Sequence, residues 1–320
     1  LDFGLRYERY NSDSEPRLNE NFVERYDIAN TENMDGKDLL MPRFGFNWRG
    51  LDNTIIRGGI GRFSGGRPNV WLANGFSNDG IILVQAPGSA TANQTDIDFT
   101  NIPDSVTESL VPGDGNVNAI DPNFKLPSEW KYNLAVDYLL QSDFGNWDLT
   151  AEYIHSNKDR DVIWKDLHRE NYEVVTGPDG RNIYTGVLAA GVPNRNDILF
   201  VNGAGGRSNV YAFGAATKFN DLSIRFGYAH QNVKDLSSGT SAQAASNFSR
   251  YAAVDRNEST VGTAGYEIKH RFNFTLTYSH EFFAGYNSNF TLYGERRSGR
   301  PYSWTVGPGR AFGDNNSNGG

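Results

Sequence analysis

The sequence predicts an all-β chain: part of an antiparallel up-and-down transmembrane β-barrel, with short turns at one end and long loops at the other. Three observations predict it. Segments of about ten residues alternate apolar and polar side chains, so each strand has one greasy face and one polar face. The connections between these segments are alternately short and long. Mean hydropathy is only −0.57, and no apolar run approaches the roughly 18 residues of a spanning helix. A helical membrane protein is thereby excluded, whereas a barrel is not, because only every second residue of its strands meets lipid.

The elements follow in order. Leu1, Phe3, Leu5 and Tyr7 oppose Asp2, Gly4, Arg6 and Glu8. Phe44, Phe46 and Trp48 oppose Arg43, Gly45, Asn47 and Arg49, and Thr54, Ile56 and Ile60 oppose Arg57, Gly59 and Gly61. Next, Trp130, Tyr132, Leu134, Val136 and Tyr138 stand against Lys131, Asn133, Ala135 and Asp137. Trp147, Leu149, Ala151 and Tyr153 stand against Asp148, Thr150 and Glu152. Tyr211, Phe213, Ala215 and Phe219 share a face, as do Leu222, Ile224, Phe226 and Tyr228 opposite Ser223, Arg225 and Gly227. Ile268, Phe272, Phe274, Leu276 and Tyr278 oppose Lys269, Arg271, Asn273 and Thr275, and a weaker segment runs over 287–297. The count is nine strands.

Short connections fall at 50–53, 141–146, 220–221 and 281–286; long polar ones fall at 11–40, 64–128, 157–206 and 231–264. Strict alternation of this kind matches tight periplasmic turns and long extracellular loops. A soluble sandwich or propeller has no reason for it. The first strand then runs outward. His155 and His270, on the greasy face by parity, land at the outer rim where water and headgroups solvate them. Trp48, Trp147, Tyr138 and Phe219 fall near the periplasmic turns, as an aromatic girdle would. Within the third long loop, 172–176 and 182–185 flank Gly177-Pro178-Asp179-Gly180 and read as a β-hairpin.

The segments DFGLRYE, LLMPRFGFNW and TIIRGGIGRFSGGRPNVWLANGFSNDG, with DPNFKLPSEWKYNLAVDYLL, YEIKHRF and GERRSGRPYSW after them, resemble the barrel of TonB-dependent receptors, in particular the Oar-like group. The resemblance covers nearly the whole chain apart from loop interiors. It implies a Gram-negative outer membrane protein in which a carboxypeptidase regulatory-like domain and a plug precede a barrel of about 22 strands. Residues 1–320 are then expected to be a fragment of one such barrel domain, with the plug and regulatory domain absent. The implied partners are outer-membrane lipid, the protein's own plug, the TonB energy-coupling complex, and a small-molecule, peptide or glycan ligand. The implied activity is active uptake of a scarce solute, in which external loops capture the ligand and a moving plug opens a path. A passive porin, or a surface adhesin or export factor on the same barrel, is the alternative.

Candidate site residues fall into two groups. Arg6, Glu8, Arg43, Arg57, Glu152, Arg225 and Arg297 alternate onto the polar, lumen-facing side. They are candidates to line a ligand path; the plainer role is hydrogen bonding to a plug or to water in a filled lumen. Trp71, Asn74, Phe76, Trp164 and Tyr172, in two long loops, are candidates for ligand contact. The GGIG run at 58–61 lies inside a strand, which suits close backbone approach or a bend better than phosphate binding.

No metal site, cofactor or catalytic residue is expected. His168 beside Asp166 and Glu170 suggests a metal ligand set, but polar alternation at a rim accounts for it equally. Asp314 to Gly319 matches the opening of a calcium loop and stops short of the twelfth-position Glu, while Gly307-Pro308-Gly309 signals a turn. No serine is marked as a nucleophile, so the chain is not expected to be an enzyme. There is no Cys, which removes disulfides and thiolate sites. A net charge of −8 excludes the basic stripe that nucleic acid would require.

Overall fold

The computed structural model describes residues 1–304 apart from 67, 85–99, 144, 189–195, 238 and 251. The calcium-like stretch Asp314 to Gly319 and the turn at 307–309 lie outside the described residues. Nine strands run as one antiparallel ladder: β1 (Asp2–Arg9), β2 (Asp38–Leu51), β3 (Thr54–Ser64), β5 (Ser128–Leu140), β6 (Trp147–Asp166), β10 (Arg207–Phe219), β11 (Leu222–Asp235), β13 (His270–Phe283) and β14 (Tyr286–Arg297). Three small strands attach to it: β4 (Asn118–Ile120), β9 (Ile198–Gly203) and β12 (Gly262–Thr263). The expected hairpin is present as a separate pair, β7 (Tyr172–Thr176) with β8 (Asn182–Leu188).

Each strand pairs with its sequence neighbour in the ladder, and each short connection turns on a residue in left-handed conformation. These residues are Asn53 (φ 57°), Gly145 (φ 104°), Asn220 (φ 50°) and Gly285 (φ 81°). Asn and Gly tolerate that conformation at little cost, so the tight end of the barrel is written in its turn residues.

Register fixes the two faces, because directly opposed residues point the same way. Phe3 opposes Phe44, Phe44 opposes Ile60, and Ile60 opposes Tyr132. Farther along, Tyr153 opposes Tyr211, Phe213 opposes Tyr228, and Tyr228 opposes Phe272. This apolar face has no protein over it: Phe3 is 79% exposed, Leu134 51% and Phe213 52%. The aromatic rows do not meet one another across a dry two-sheet core. In water such a surface would be a large aggregation-prone patch; in a bilayer it is a lipid-facing band.

The dry core lies in the loops instead. Helices α1 (Glu20–Tyr26), α2 (Asn69–Ser77) and α4 (Ala244–Ser249), with β4, β9 and the upper half of β6, pack into a cap at the long-loop end, while the single-turn α3 (Asp104–Thr107) lies in the second long loop. One apolar cluster gathers Met34, Phe124, Trp164, Phe200 and Phe248; the other gathers Phe22, Val117, Ile163, Leu199 and Leu236. Asn19 caps α1 by accepting from the Phe22 N–H, and its amide donates to the Asp79 and Gly113 carbonyls, tying the first two long loops together. The third long loop was expected to begin at 157, whereas β6 continues as a strand to Asp166 and pairs there with β9.

Candidate functional site

The seven charged residues expected on the polar side share one face. One continuous row runs Arg57, Ala135, Glu152, Ala212, Ala229, Arg271 and Arg297 across seven strands. Arg43 opposes Gly61, which opposes Lys131; Arg225 opposes Ala216 and Thr275. Arg6 and Glu8 lie on β1 opposite Met41 and Leu39.

Small residues between the long ones let the charges reach each other. Ala135 is fully buried beneath Arg57 and Glu152. The Arg57 Nε donates to Asp137 at 2.9 Å, its Nη1 lies 3.7 Å from Glu152, and the Thr150 hydroxyl donates to the other Asp137 oxygen at 2.8 Å. A second cluster centres on Glu295, which accepts from Arg271 and the Tyr293 hydroxyl, both at 2.8 Å, with Arg297 at 3.6 Å. Arg6 is bonded to Glu8, and the Arg43 guanidinium sits 4.4 Å over the Phe63 ring. Asp137, Thr150, Tyr293 and Glu295 were not singled out from the sequence. Strand parity was the available signal, but it does not say which residue of the next strand stands alongside.

On β2, β3 and β5 this face is hollowed by glycine. A depression of about 440 Å³ is lined by Arg43, Gly45, Gly59, Gly61, Lys131 and Glu152. A Cβ at Gly59 would lie 2.9 Å from the Phe44 carbonyl oxygen, so bare backbone is required there. Close approach, as expected of the GGIG run, is what the geometry provides. A second depression of about 560 Å³, with Arg49, Asp137, Asp148 and Thr150 in its wall, lies toward the short turns.

The loop candidates are placed differently. Trp164 is 1% exposed, stacked edge-on to Trp71 at 5.2 Å and against Phe200 at 5.6 Å. Asn74 is 9% exposed, donating to the Ala242 carbonyl and accepting from the Ala244 N–H. The Trp71 indole N–H donates to the Ser241 carbonyl. These three hold α2, β6 and α4 together: Trp164 and Asn74 are buried in that junction, whereas Trp71 is half-buried. Phe76 is 40% exposed and Tyr172 half-buried, so they remain at the cap surface.

His168 is enclosed as well. Its backbone N–H donates to Asp166, and its ring lies edge-on to Tyr172 at 5.7 Å. Among the described residues there is no cluster of metal-binding side chains, and the bond between His168 and Asp166 is a backbone-to-carboxylate turn bond. Beside it Arg169 lies 4.3 Å over the Tyr184 ring and 3.7 Å from Asp255. Burial, then the hydrogen bond to Asp255, pushes the Tyr184 hydroxyl up to about 12.

Burial pushes Asp166 from 3.8 up to about 7, against the opposing pull of the His168 N–H and Arg169. A carboxyl raised by folding binds more protons in the folded cap than in the unfolded one. Its stabilising effect is therefore full below about pH 3.8 and is lost as pH rises through about 7. The loss is bounded at roughly 4 kcal/mol. Asp166→Asn is expected to flatten this slope. The check is denaturant unfolding of the cap, followed by tryptophan fluorescence from pH 4 to 8, and equal slopes for both proteins would refute the assignment.

An unpartnered apolar band, a polar face of paired charges, tight turns at one end and long loops at the other together define an outer-membrane β-barrel. Residues 1–292 match the outer membrane beta barrel domain family, and the chain belongs to it. Its place is the outer membrane of a Gram-negative bacterium. No curated protein matches the chain. Among solved structures, the FrpB iron transporter of Neisseria meningitidis (F5-1 variant) aligns at 12% identity and TM-score 0.40, over 82% of this chain and 28% of its own. The siderophore receptor PirA of Pseudomonas aeruginosa aligns at 10% identity and TM-score 0.35, over 81% and 35%. The ferric enterobactin receptor PfeA of Pseudomonas aeruginosa (G324V mutant) gives 10% and 0.35, over 83% and 30%. The chain thus spans about a third or less of the length of these proteins.

Proposed function

We propose that residues 1–320 are the barrel portion of a TonB-dependent transporter of the Oar-like group, working with a plug and an energy-coupling complex to import a scarce small molecule, peptide or glycan. One observation carries the proposal. The cap does not flare away from the barrel mouth: its apolar core includes Leu39 and Met41, which share a face with Arg6, Glu8 and Arg43. Leu40 between them is 50% exposed on the other side. The loops thus fold inward over the polar face, an arrangement that suits a gated entrance better than an open diffusion pore. The paired charges of that face supply fixed hydrogen-bonding positions for a plug, while Phe76 and Tyr172 remain available on the cap for a ligand.

The test is uptake by whole cells of candidate solutes that depend on the intact gene. Import is expected to cease when the energy-coupling protein is deleted. Uptake that persists there, rising linearly with external concentration, would indicate a passive porin. No solute dependence at all, with loss of surface attachment, would indicate an adhesin.

A further inference from the structure

The outward face of the β10–β11 hairpin changes character in steps along its length. From the tight turn upward, the opposed pairs are Phe219 with Leu222, Thr217 with Ile224, Ala215 with Phe226, Phe213 with Tyr228, Tyr211 with His230, Asn209 with Asn232, and Arg207 with Lys234. The order is apolar, save for Thr217, which is buried with its hydroxyl donating to the Asn146 carbonyl, then ring-bearing with a polar edge, then amide, then cation. The neighbouring strand repeats it, with Tyr153, His155 and Asn157 opposing Tyr211, Asn209 and Arg207. The polar edges are engaged laterally: the Tyr153 hydroxyl donates to Asn209 at 2.7 Å, and His155 Nδ1 lies 2.9 Å from the same oxygen.

Strand geometry gives these steps a depth. Ten residues separate Phe219 from Asn209. A strand rising about 3.4 Å per residue at a tilt near 45° climbs about 24 Å over that span. This matches the roughly 25 Å apolar height of an outer-membrane barrel. The Asn209 and Asn232 pair therefore marks the outer edge of the hydrocarbon, and Arg207 with Lys234 stands about 5 Å above it, at headgroup level.

Neither cation is neutralised from within. Among the described residues no ion pair forms at Arg207 or Lys234; the Lys234 ammonium donates to the Thr263 hydroxyl at 2.7 Å, and Arg207 is exposed. By contrast, Arg62, on the same face three ladder strands away, is paired with Asp159. Two adjacent, uncompensated cations on a lipid-facing surface, one step above the hydrocarbon edge, are complementary to an anionic headgroup.

We propose that Arg207 and Lys234 form a binding site for the phosphate of an outer-leaflet lipid, with Asn157 level with Arg207, and Asn209 and Asn232 one step below, as hydrogen-bonding contacts. The site rests on the apolar face being lipid-facing and is independent of whether the barrel transports anything.

The test uses the complete protein that carries this domain, solubilised and titrated with lipid A in mixed micelles. The comparison is phosphorylated lipid A against the same lipid stripped of its phosphates. The wild type is expected to bind the phosphorylated form roughly 10- to 30-fold more tightly, as two cations at an anionic surface would provide. R207Q/K234Q is expected to bind both forms alike, and R207K/K234R to keep the preference. Preference retained in R207Q/K234Q, preference lost in R207K/K234R, or displacement of the lipid by millimolar inorganic phosphate would each overturn the proposal, the last by revealing a soluble-anion site.

Discussion

Trp164→Ala is expected to loosen the loop cap while leaving the membrane ladder intact. The indole is 1% exposed and stands at the centre of a cluster with Trp71, Phe200, Phe124 and Phe248. Truncating a buried Trp removes its transfer free energy and leaves a cavity, together about 3–5 kcal/mol. That is a large share of what a small packed layer of loops can supply. Strands β10, β11 and β13 contribute no residue to this cluster: their stability comes from the ladder pairing of β10 with β11 and β11 with β13 and from the bilayer. Hydrogen exchange should therefore show protection lost in 20–26, 118–126, 198–203 and 244–249, and unchanged in 211–230. Trp164→Phe is the informative control. The Trp164 indole N–H is buried with no hydrogen-bond partner among the described residues. Phe thus gives up ring volume without losing a bond, and its cost should be well below that of Ala. A cap with unaltered protection in Trp164→Ala would mean that the apolar cluster is not what organises the loops.

The burial of Trp164 is not legible in the sequence, for a physical reason. An aromatic inside a polar loop reads the same whether it faces a solute or a neighbouring loop. Trp71 and Trp164 stand 93 positions apart, and nothing local to either indicates that they touch. The strand Ile198 to Gly203 is apolar on successive residues because it is buried on both sides between β4 and β6. A short apolar run of that kind carries no period to distinguish it from a loop. Helices α1, α2 and α4 span 7, 9 and 6 residues, too few turns for a 3.6-residue pattern to emerge.

The membrane ladder was legible for the opposite reason. Lipid on one side and a polar interior on the other impose a two-residue alternation on every strand, so each of the nine declares itself without its neighbours. The same alternation placed Arg6, Glu8, Arg43, Arg57, Glu152, Arg225 and Arg297 on one face, and the register puts them there. Their partners were out of reach because pairing register depends on turn length and bulges. Asp137 reaches Arg57 because β5, returning from a long loop, sets Ala135 opposite Arg57 and Asp137 opposite Ile55, one diagonal step away.

Alternation also makes the sharpest test of which face meets lipid. Arg225 and Phe226 are consecutive on β11 and point to opposite sides. Phe226 is 44% exposed on the apolar face and lies four residues from the tight-turn end of its strand, about 10 Å up a band roughly 25 Å tall and thus near the bilayer midplane. A guanidinium is tolerated at 225 because that side is polar. The same group at 226 would have to leave water for hydrocarbon, at about 2–4 kcal/mol. Phe226→Arg is accordingly expected to lower the denaturant midpoint of the complete protein folded into vesicles, or to stop its insertion. Arg225→Phe should change stability by less than about 1 kcal/mol, because it adds no charge to the lipid face and Arg225 makes no ion pair among the described residues. A Phe226→Arg protein that inserts and unfolds like the wild type would place that ring in water or against protein. The lipid boundary, and the phosphate site drawn at its outer edge, would then have to be abandoned together.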